Sequence, residues 1–431
     1  LWISSLTDEA IAKGMENLRP CSLFDNLFLA ADSRNKADWL LGVNSSYAVC
    51  KAVGFGNNSL GRVQTPVLAA ISGRYREREN HIPADSWPVF VSLCKNGKII
   101  KMRHVEDFCN RRDALELYED CKAAGYARIT AVNSRTEEIT APALYNLTGL
   151  QKDANRYHNL TAIRVQEITQ SLYEKKLISC PRTSSRLLPE DVYGMLPPVM
   201  EKLLSGKEFR QYAGMIDLAA RKGVTGNQDT AEHHAIVITG IQPGELDREE
   251  RLVYTLVVGR MLETFMPPCK VEYTTVEAVC AARKFRIRTY RILEAGWLGI
   301  FQRERLVAED NDLCPVPPEL FREEKLPVTG CSLIHRKSLP AAPYTDEELA
   351  DYMDKTGLGT ASTRTNIIRT LLERKYIRYS GKYIIPTPKG LLLYETVRGM
   401  KVADASLTSG WEAKLARIER GELPQKEFLD G

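Results

Sequence analysis

Apolar residues recur at helical spacing over residues 7–18 and 28–53, and after Pro66 the pattern runs on from Ala69 to Glu79, so the chain is expected to begin as helices. The period then changes. From Trp87 to Arg103 and from Ala127 to Ile139 the residues alternate and are enriched in β-branched types, with Asn96-Gly97 supplying a two-residue hairpin turn. Cys269 to Leu298 returns to that style. Between the strand-rich stretches, roughly 142 to 265, lies a long segment rich in Leu, Ile, Tyr and Glu/Lys pairs, which predicts one β unit interrupted by a helical insertion. Glu309 to Pro327 has four prolines and many charges and reads as an exposed connection.

The last ninety or so residues are the most legible. Thr345-Asp346-Glu347-Glu348 is a capping box, Gly357 and Gly359 end that helix, and Ser362 to Lys375 supplies a second with apolar residues at 367, 368, 371 and 372. Tyr376 to Tyr379, Ser380-Gly381 and Lys382 to Ile385 predict a hairpin, and Thr387-Pro388 opens a third helix with proline at its first position. Helix, helix, hairpin, helix is the layout of a winged helix, which serves either DNA contact or packing alone.

Composition narrows the function classes. A chain of 431 residues, 44% hydrophobic, buries several cores, so two to four domains are expected. The net charge of +4 does not by itself announce a polyanion ligand, although 59 Lys and Arg leave room for basic stripes. The ten cysteines form no C-x-x-C pair, which argues against a zinc ribbon and a disulfide framework. No apolar run approaches a membrane span and Leu1 to Ala10 lacks a signal-peptide layout, so a cytoplasmic, nucleoid-associated location without membrane contact is expected. Leu1-Trp2-Ile3 reads as a strand met part-way, so the chain is expected to begin inside a larger protein.

Several separated stretches carry a resemblance. Ser59-Leu60-Gly61-Arg62-Val63-Gln64-Thr65-Pro66 is similar to an S-x-G-R-V-Q-[ST]-P signature, preceded by Leu6 to Ile11 and Asp38-Trp39-Leu40-Leu41-Gly42. Tyr173 to Thr183 resembles L-Y-E-x-x-x-I-[ST]-Y-x-R-[ST], and His233-His234-Ala235-Ile236 and Gly357 to Arg364 match two further segments. In order over nearly the whole chain, these segments resemble type IA DNA topoisomerases of the topoisomerase III kind.

The resemblance implies a multidomain, mainly helical α+β protein shaped as a ring or arch, with CAP-like (winged-helix) helical domains and a β-rich hinge. Residues 1–82 and 341–431 would form the winged-helix base, 83–141 and 267–340 the hinge, and 142–266 the inserted helical domain bearing the nucleophile position. It also implies a TOPRIM domain holding Mg²⁺, expected outside this chain. Asp310-Asn311-Asp312 is a poor substitute, and a solvated charge run is the plainer reading. Such enzymes attack a phosphate of single-stranded or underwound DNA with a tyrosine, store the bond energy as a 5′-phosphotyrosine, pass a strand and reseal without ATP. Consistently, no G-x-x-x-x-G-K-[ST] loop is present, and Gly54 to Ser59 lacks the third glycine of a dinucleotide fingerprint.

By the same resemblance Arg182 would stabilise charge on the attacked phosphate, the competing reading being a surface ion pair. His233 would donate a hydrogen bond to a nearby phosphate, or be purely structural, while His234 reads as packing. Arg34, Asp38, Arg62 and Gln64 fit a groove that follows one strand, unless Asp38 simply anchors Arg34 or Arg62. Gln170 and Glu174, at i and i+4, with Ser179 and Thr183, point to the same site, or Gln170 and Glu174 form an ordinary solvated stripe. Thr363 or Ser362 would offer hydroxyl and N–H groups to a phosphate, against capping alone.

Three positions depart from the pattern. Cys180 stands where the nucleophilic tyrosine is expected, its sulfur roughly 4 Å closer to the backbone than a tyrosine oxygen, when about 1 Å of misplacement already costs on the order of a hundredfold. An inert, buried thiol and no DNA cleavage by this chain are expected. Ser184 replaces an aspartate common after Arg-Thr, and Ile238 replaces a proline. A naturally degenerate DNA-binding or scaffold protein is the second reading, and a monomer is expected.

Overall fold

The computed structural model describes residues 6, 8–53, 58–206, 209–218, 224–226, 234–301, 313–315, 319–360 and 363–430. His233, Ser362 and Asp310 to Asp312 lie outside these. Three helices come first, α1 (Asp8–Glu16), α2 (Asp25–Val53) and α3 (Gln64–Glu79). The strand-rich stretch follows as β1 (Asp85–Ser86), β2 (Val89–Lys95) and β3 (Lys98–His104), then α4 (Arg111–Ala124) and β4 (Tyr126–Ile139). The helical insertion consists of α5 (Leu147–His158), α6 (Ala162–Glu174), α7 (Glu190–Ser205) and α8 (Arg248–Thr264). Strands return as β5 (Cys269–Cys280), β6 (Arg283–Glu294), β7 (Leu313–Pro315), β8 (Lys325–Leu333) and β9 (Arg336–Lys337). The chain closes with α9 (Asp346–Lys355), α10 (Arg364–Glu373), β10 (Ile377–Ser380), β11 (Tyr383–Pro386), α11 (Pro388–Val397), α12 (Ala405–Glu419) and α13 (Gln425–Asp430).

Local chemistry explains most boundaries. Asn96 and Gly97 both take positive φ, 49° and 76°, which closes the β2–β3 hairpin in register Lys95 to Lys98. Thr345 and Glu348 exchange both bonds of the expected capping box, and Thr387 accepts from the Gly390 N–H with Pro388 behind it. Gly390 is dictated by space, since a Cβ there would lie 2.0 Å from the Tyr376 carbonyl oxygen. Three expectations need correcting. The β10–β11 turn is Gly381-Lys382 rather than Ser380-Gly381, because Ser380 still pairs with Tyr383. Within the supposed connection, Leu313–Pro315 is a strand parallel to β6. Helix α4, capped by Asn110 and stopped by Gly125 at φ 68°, interrupts the first strand-rich stretch.

Strands β3-β2-β8-β4-β5-β6 pair in that order, and β3 pairs with β6, so the sheet closes into a barrel with β7 added on β6. Val91, Leu93, Met102, Ile129, Ala278 and Phe285 fill its core, with α4 packed on through Leu117 and Cys121. Beyond the barrel, β4, β5 and β6 run on as a three-stranded ribbon to a second small core of Cys269, Val271, Trp297 and Leu298. The ribbon changes its buried face on the way. Near the barrel Val276, Ala278 and Cys280 are buried, whereas at the far end Cys269 and Val271 of the opposite face are. At the changeover the residues are Asn133, Ser134, Thr274, Thr275, Arg288 and Thr289.

The helical insertion has its own core, including Leu150, Val165, Leu172, Ile178, Val257 and Phe265. The two ends of the chain share another, in which Val67, Leu68 and Ile71 of α3 meet Leu349, Ile368, Leu371, Tyr376, Ile384 and Leu393. Insertion and terminal unit touch through α5, α6, α9 and α10. There Gln151 Nε2 donates to Thr365 Oγ1 at 2.9 Å and Arg364 to Thr148 Oγ1 at 3.0 Å, while Arg156 pairs with Glu347 and Arg369 with Glu167. Among the described residues no helix is long and apolar enough to cross a membrane.

Candidate functional site

The segment carrying Cys180 is pinned along both edges. Helix α6 ends at Lys175, and Lys176 at φ 60° reverses the chain so that the Leu177 N–H reaches the Leu172 carbonyl at 2.9 Å. The next residues pair with 235–239. Ser179 N donates to the Val237 carbonyl at 2.8 Å, Ser179 Oγ donates to the Ala235 carbonyl at 3.1 Å and accepts from Val237 N at 3.0 Å, and Thr239 N donates to the Leu177 carbonyl at 3.1 Å. On the other side Leu147 N donates to the Thr183 carbonyl at 3.1 Å, Asn146 Nδ2 to the Ser184 carbonyl at 2.9 Å, and Ser185 N to Thr183 Oγ1 at 3.0 Å. Ser179 and Thr183 are therefore buried clamps of the loop, and the stretch between them is held on a rigid frame.

What that frame presents is Arg182. It is exposed and makes no ion pair with a described residue, unlike most arginines of the terminal unit. Cys180, two residues earlier, is 8% exposed. Burial pushes its thiol up, while the Arg182 N–H and positive charge only partly oppose this, so the sulfur is protonated at neutral pH. Burial likewise raises the Tyr173 phenol, with Cys180 adding to the rise and Arg182 opposing it, which places that ring in the same neighbourhood. Tyr173 belongs to the recognised motif, but spacing alone gave no sign that it faces Cys180.

The remaining candidates fall in three places. Gln170 Nε2 donates to Glu174 Oε1 at 2.8 Å on the last turns of α6, the partly exposed pair expected of i,i+4 spacing. His234 is buried, its Nδ1 2.7 Å from the Ala235 carbonyl, beside the strand that clamps Ser179. Thr363 precedes α10 and is exposed. Its Oγ1 takes the Thr360 N–H at 2.9 Å, so the hydroxyl closes a turn rather than capping the helix.

Arg34, Asp38 and Arg62 form a group of their own with α12. The Arg62 side chain is only 3% exposed, its Nε and Nη2 donating to the Asp38 carboxylate at 2.7 and 3.3 Å and its Nη1 to Glu412 Oε1 at 2.9 Å. Arg34 pairs with the other Glu412 oxygen, Trp411 lies 5.4 Å from the Arg62 guanidinium carbon, and Thr408 Oγ1 donates to the Arg62 carbonyl. Burial works against the Arg62 charge, yet Asp38 and Glu412 outweigh it and hold its pKa above the ordinary value. Every guanidinium nitrogen of Arg62 is thus engaged inside the protein. Gln64 ties α3 to α10 through Arg374. Sequence reasoning missed Trp411, Glu412 and Asn146, because no local spacing links residues so far apart in the chain.

Comparison with known proteins gives this arrangement a context. A family model described as DNA topoisomerase matches residues 22–430. The chain belongs to the type IA DNA topoisomerase family. It is 29% identical to DNA topoisomerase 3 of Bacillus licheniformis over 460 residues, 100% of this chain and 62% of that protein. It is 32% identical to DNA topoisomerase 3 of Bacillus cereus over 463 residues, with 100% and 62% covered, and 30% identical to DNA topoisomerase 1 of Methanocaldococcus jannaschii over 433 residues, with 99% and 55% covered. Its topoisomerase III-like chain thus spans little more than half the length of these relatives. Full-length topoisomerase I from Thermotoga maritima shares its fold at a TM-score of 0.79 and 20% identity, over 100% of this chain and 71% of that one. The family is consistent with a Mg²⁺ requirement. Among the described residues no group of three or more His, Cys, Asp or Glu is placed to hold a metal ion, so the ion finds no ligand set there.

Proposed function

We propose that this chain is the strand-holding part of a type IA DNA topoisomerase and that it binds single-stranded or underwound DNA across the loop 179–183 without cutting it. The observation that carries this reading is Arg182, exposed and without an ion-pair partner among the described residues, beside Cys180 on a doubly clamped loop. A planar, permanently charged fork on a rigid mount suits a backbone phosphate and gives up little conformational freedom on binding. Gln170 and Glu174, at the end of the helix that feeds the loop, and His233, next to the clamping strand, would line the same path. Thr363 would meet the strand from α10.

In this reading the reacting position is Cys180, and the chemistry stops there. A protonated thiol is a poor nucleophile, and its reach is roughly 4 Å shorter than that of a tyrosine hydroxyl. A naturally non-catalytic strand binder is favoured by this same thiol, and the whole protein's relaxation or decatenation would depend on a metal-holding domain and a tyrosine at position 180. The terminal unit, with its helix, helix, hairpin, helix order, is read as a winged helix, the barrel as the hinge, and the insertion as the body carrying the loop.

The test is fluorescence anisotropy with a labelled oligothymidylate. Arg182→Ala should weaken binding at least tenfold at low salt and lower the salt slope by about 0.7, as for one lost phosphate contact. No change with Arg182→Ala would end this reading. A covalent adduct between the unaltered chain and DNA would refute the claim of inactivity.

A further inference from the structure

The ribbon of β4, β5 and β6 carries a second cationic recess away from the Cys180 loop. Where the ribbon changes its buried face, one side presents two rows across three strands: Asn133, Thr275 and Arg288 in one, Arg135, Tyr273 and Tyr290 in the next. A cavity of about 290 Å³ opens there, lined by Asn133, Arg135, Tyr273, Thr275 and Arg288 among others. Arg135 and Arg288 stand two strands and two residues apart, about 10 Å across and about 7 Å along the sheet. Two long side chains at that separation converge on one group between them. Tyr273 occupies that middle position, with the Arg135 guanidinium carbon 5.9 Å from its ring. Burial raises the Tyr273 phenol and Glu137 adds to this, while Arg135 and Arg288 both pull it back, so both charges are felt at the same hydroxyl.

The opposite side of the ribbon at the same level shows what a merely solvated surface looks like. Its cavity, about 270 Å³, is lined by Glu272, Arg291 and Glu319, and Arg291 is already paired to Glu272 at 2.8 Å. That side is balanced or acidic. On the first side the one carboxylate in contact is Glu137, 3.0 Å from Arg135 Nε, which leaves one positive charge in excess beside a phenol, an amide and a hydroxyl. Cationic forks, neutral donors and an aromatic face are the set that receives a phosphate of a flexible polynucleotide with a base stacked alongside.

We infer that this recess is a second binding site for the backbone of single-stranded nucleic acid, used together with the strand held at Arg182. The inference rests on the strand-holding reading above, and the experiment separates the two. Oligothymidylates of about eight nucleotides, too short to bridge distant sites, are counted per intact chain by sedimentation at low salt. The unaltered chain should bind two. Arg135→Ala/Arg288→Ala should bind one, with the second association weakened at least tenfold and the first unchanged, and Arg135→Lys/Arg288→Lys should restore the second. Arg182→Ala should weaken the first and leave the second. A single oligonucleotide on the unaltered chain, or two on the alanine pair, overturns the inference while leaving the Arg182 reading intact. No oligonucleotide at all overturns both. Tighter retention of a duplex than of the single strand by the same two arginines overturns the single-strand assignment.

Discussion

Asp346 opens α9 with its side chain sealed at 2% residue exposure, and it is the most informative single position for testing how the insertion seats on the terminal unit. Its carboxylate accepts from the Tyr379 hydroxyl at 3.0 Å and from the backbone N–H of Ala162 at the start of α6. Burial outweighs both bonds and pushes its pKa up from 3.8 to about 6. A carboxyl that holds its proton more tightly folded than unfolded favours the fold while protonated. Its contribution is complete below about pH 4 and is lost as pH rises through about 6. At about 1.4 kcal/mol per pH unit, the fully ionised group costs about 3 kcal/mol above that range. Asp346→Asn keeps an oxygen for Tyr379 and Ala162 but loses the attraction of a negative charge to the helix start, about 0.5–1 kcal/mol. The variant should therefore be more stable than the parent by about 2 kcal/mol at pH 7.5, less stable or equal near pH 4.5, and flatter in between. Chemical denaturation at several pH values, with hydrogen exchange at α9, reads this directly. A variant that is less stable at pH 7.5 would show that the ionised carboxylate is the favoured form, and the reasoning from burial would be wrong.

Arg62→Ala should lower stability by about 1–3 kcal/mol, since it strands Asp38 and Glu412, both partly solvated, around an emptied buried site. It should reduce oligonucleotide affinity less than Arg182→Ala, as anisotropy on the folded variants would report. Gly390→Ala should cost about 3 kcal/mol or more because the new methyl meets a backbone oxygen that cannot swing away, visible as a lower denaturation midpoint. Cys180 should alkylate with iodoacetamide far more slowly at pH 7 than the exposed Cys21 and Cys109, as mass spectrometry of a time course would show.

What the sequence made legible was local. Capping boxes, the Asn96-Gly97 turn and the Thr387-Pro388 helix start depend on residues within four positions of one another, so the physics that fixes them is visible in a short window. Helix α4 escaped notice because the eye followed strand alternation across residues 87–139, although Asn110 and Gly125 mark its ends. The barrel closure of β3 on β6 joins residues about 180 positions apart through backbone groups that every sequence possesses, and nothing in the side chains announces it. The loop around Cys180 was found from its motif, but the exposure of Arg182 was not. Arg62 illustrates the converse. Its motif position suggested an accessible cation, and only the distant Glu412 and Trp411 reveal that it is spent on holding α2, α3 and α12 together.

The exchange of inner and outer faces along β4, β5 and β6 leaves their middle without an apolar filling on either side. There the ladder of main-chain bonds alone sets the shape, and those bonds tolerate gradual twisting better than tightly packed side chains tolerate sliding. Such a segment behaves as a torsion bar between two stiff ends: a turn of a few degrees at each step accumulates along the bar, and neither interior is asked to repack.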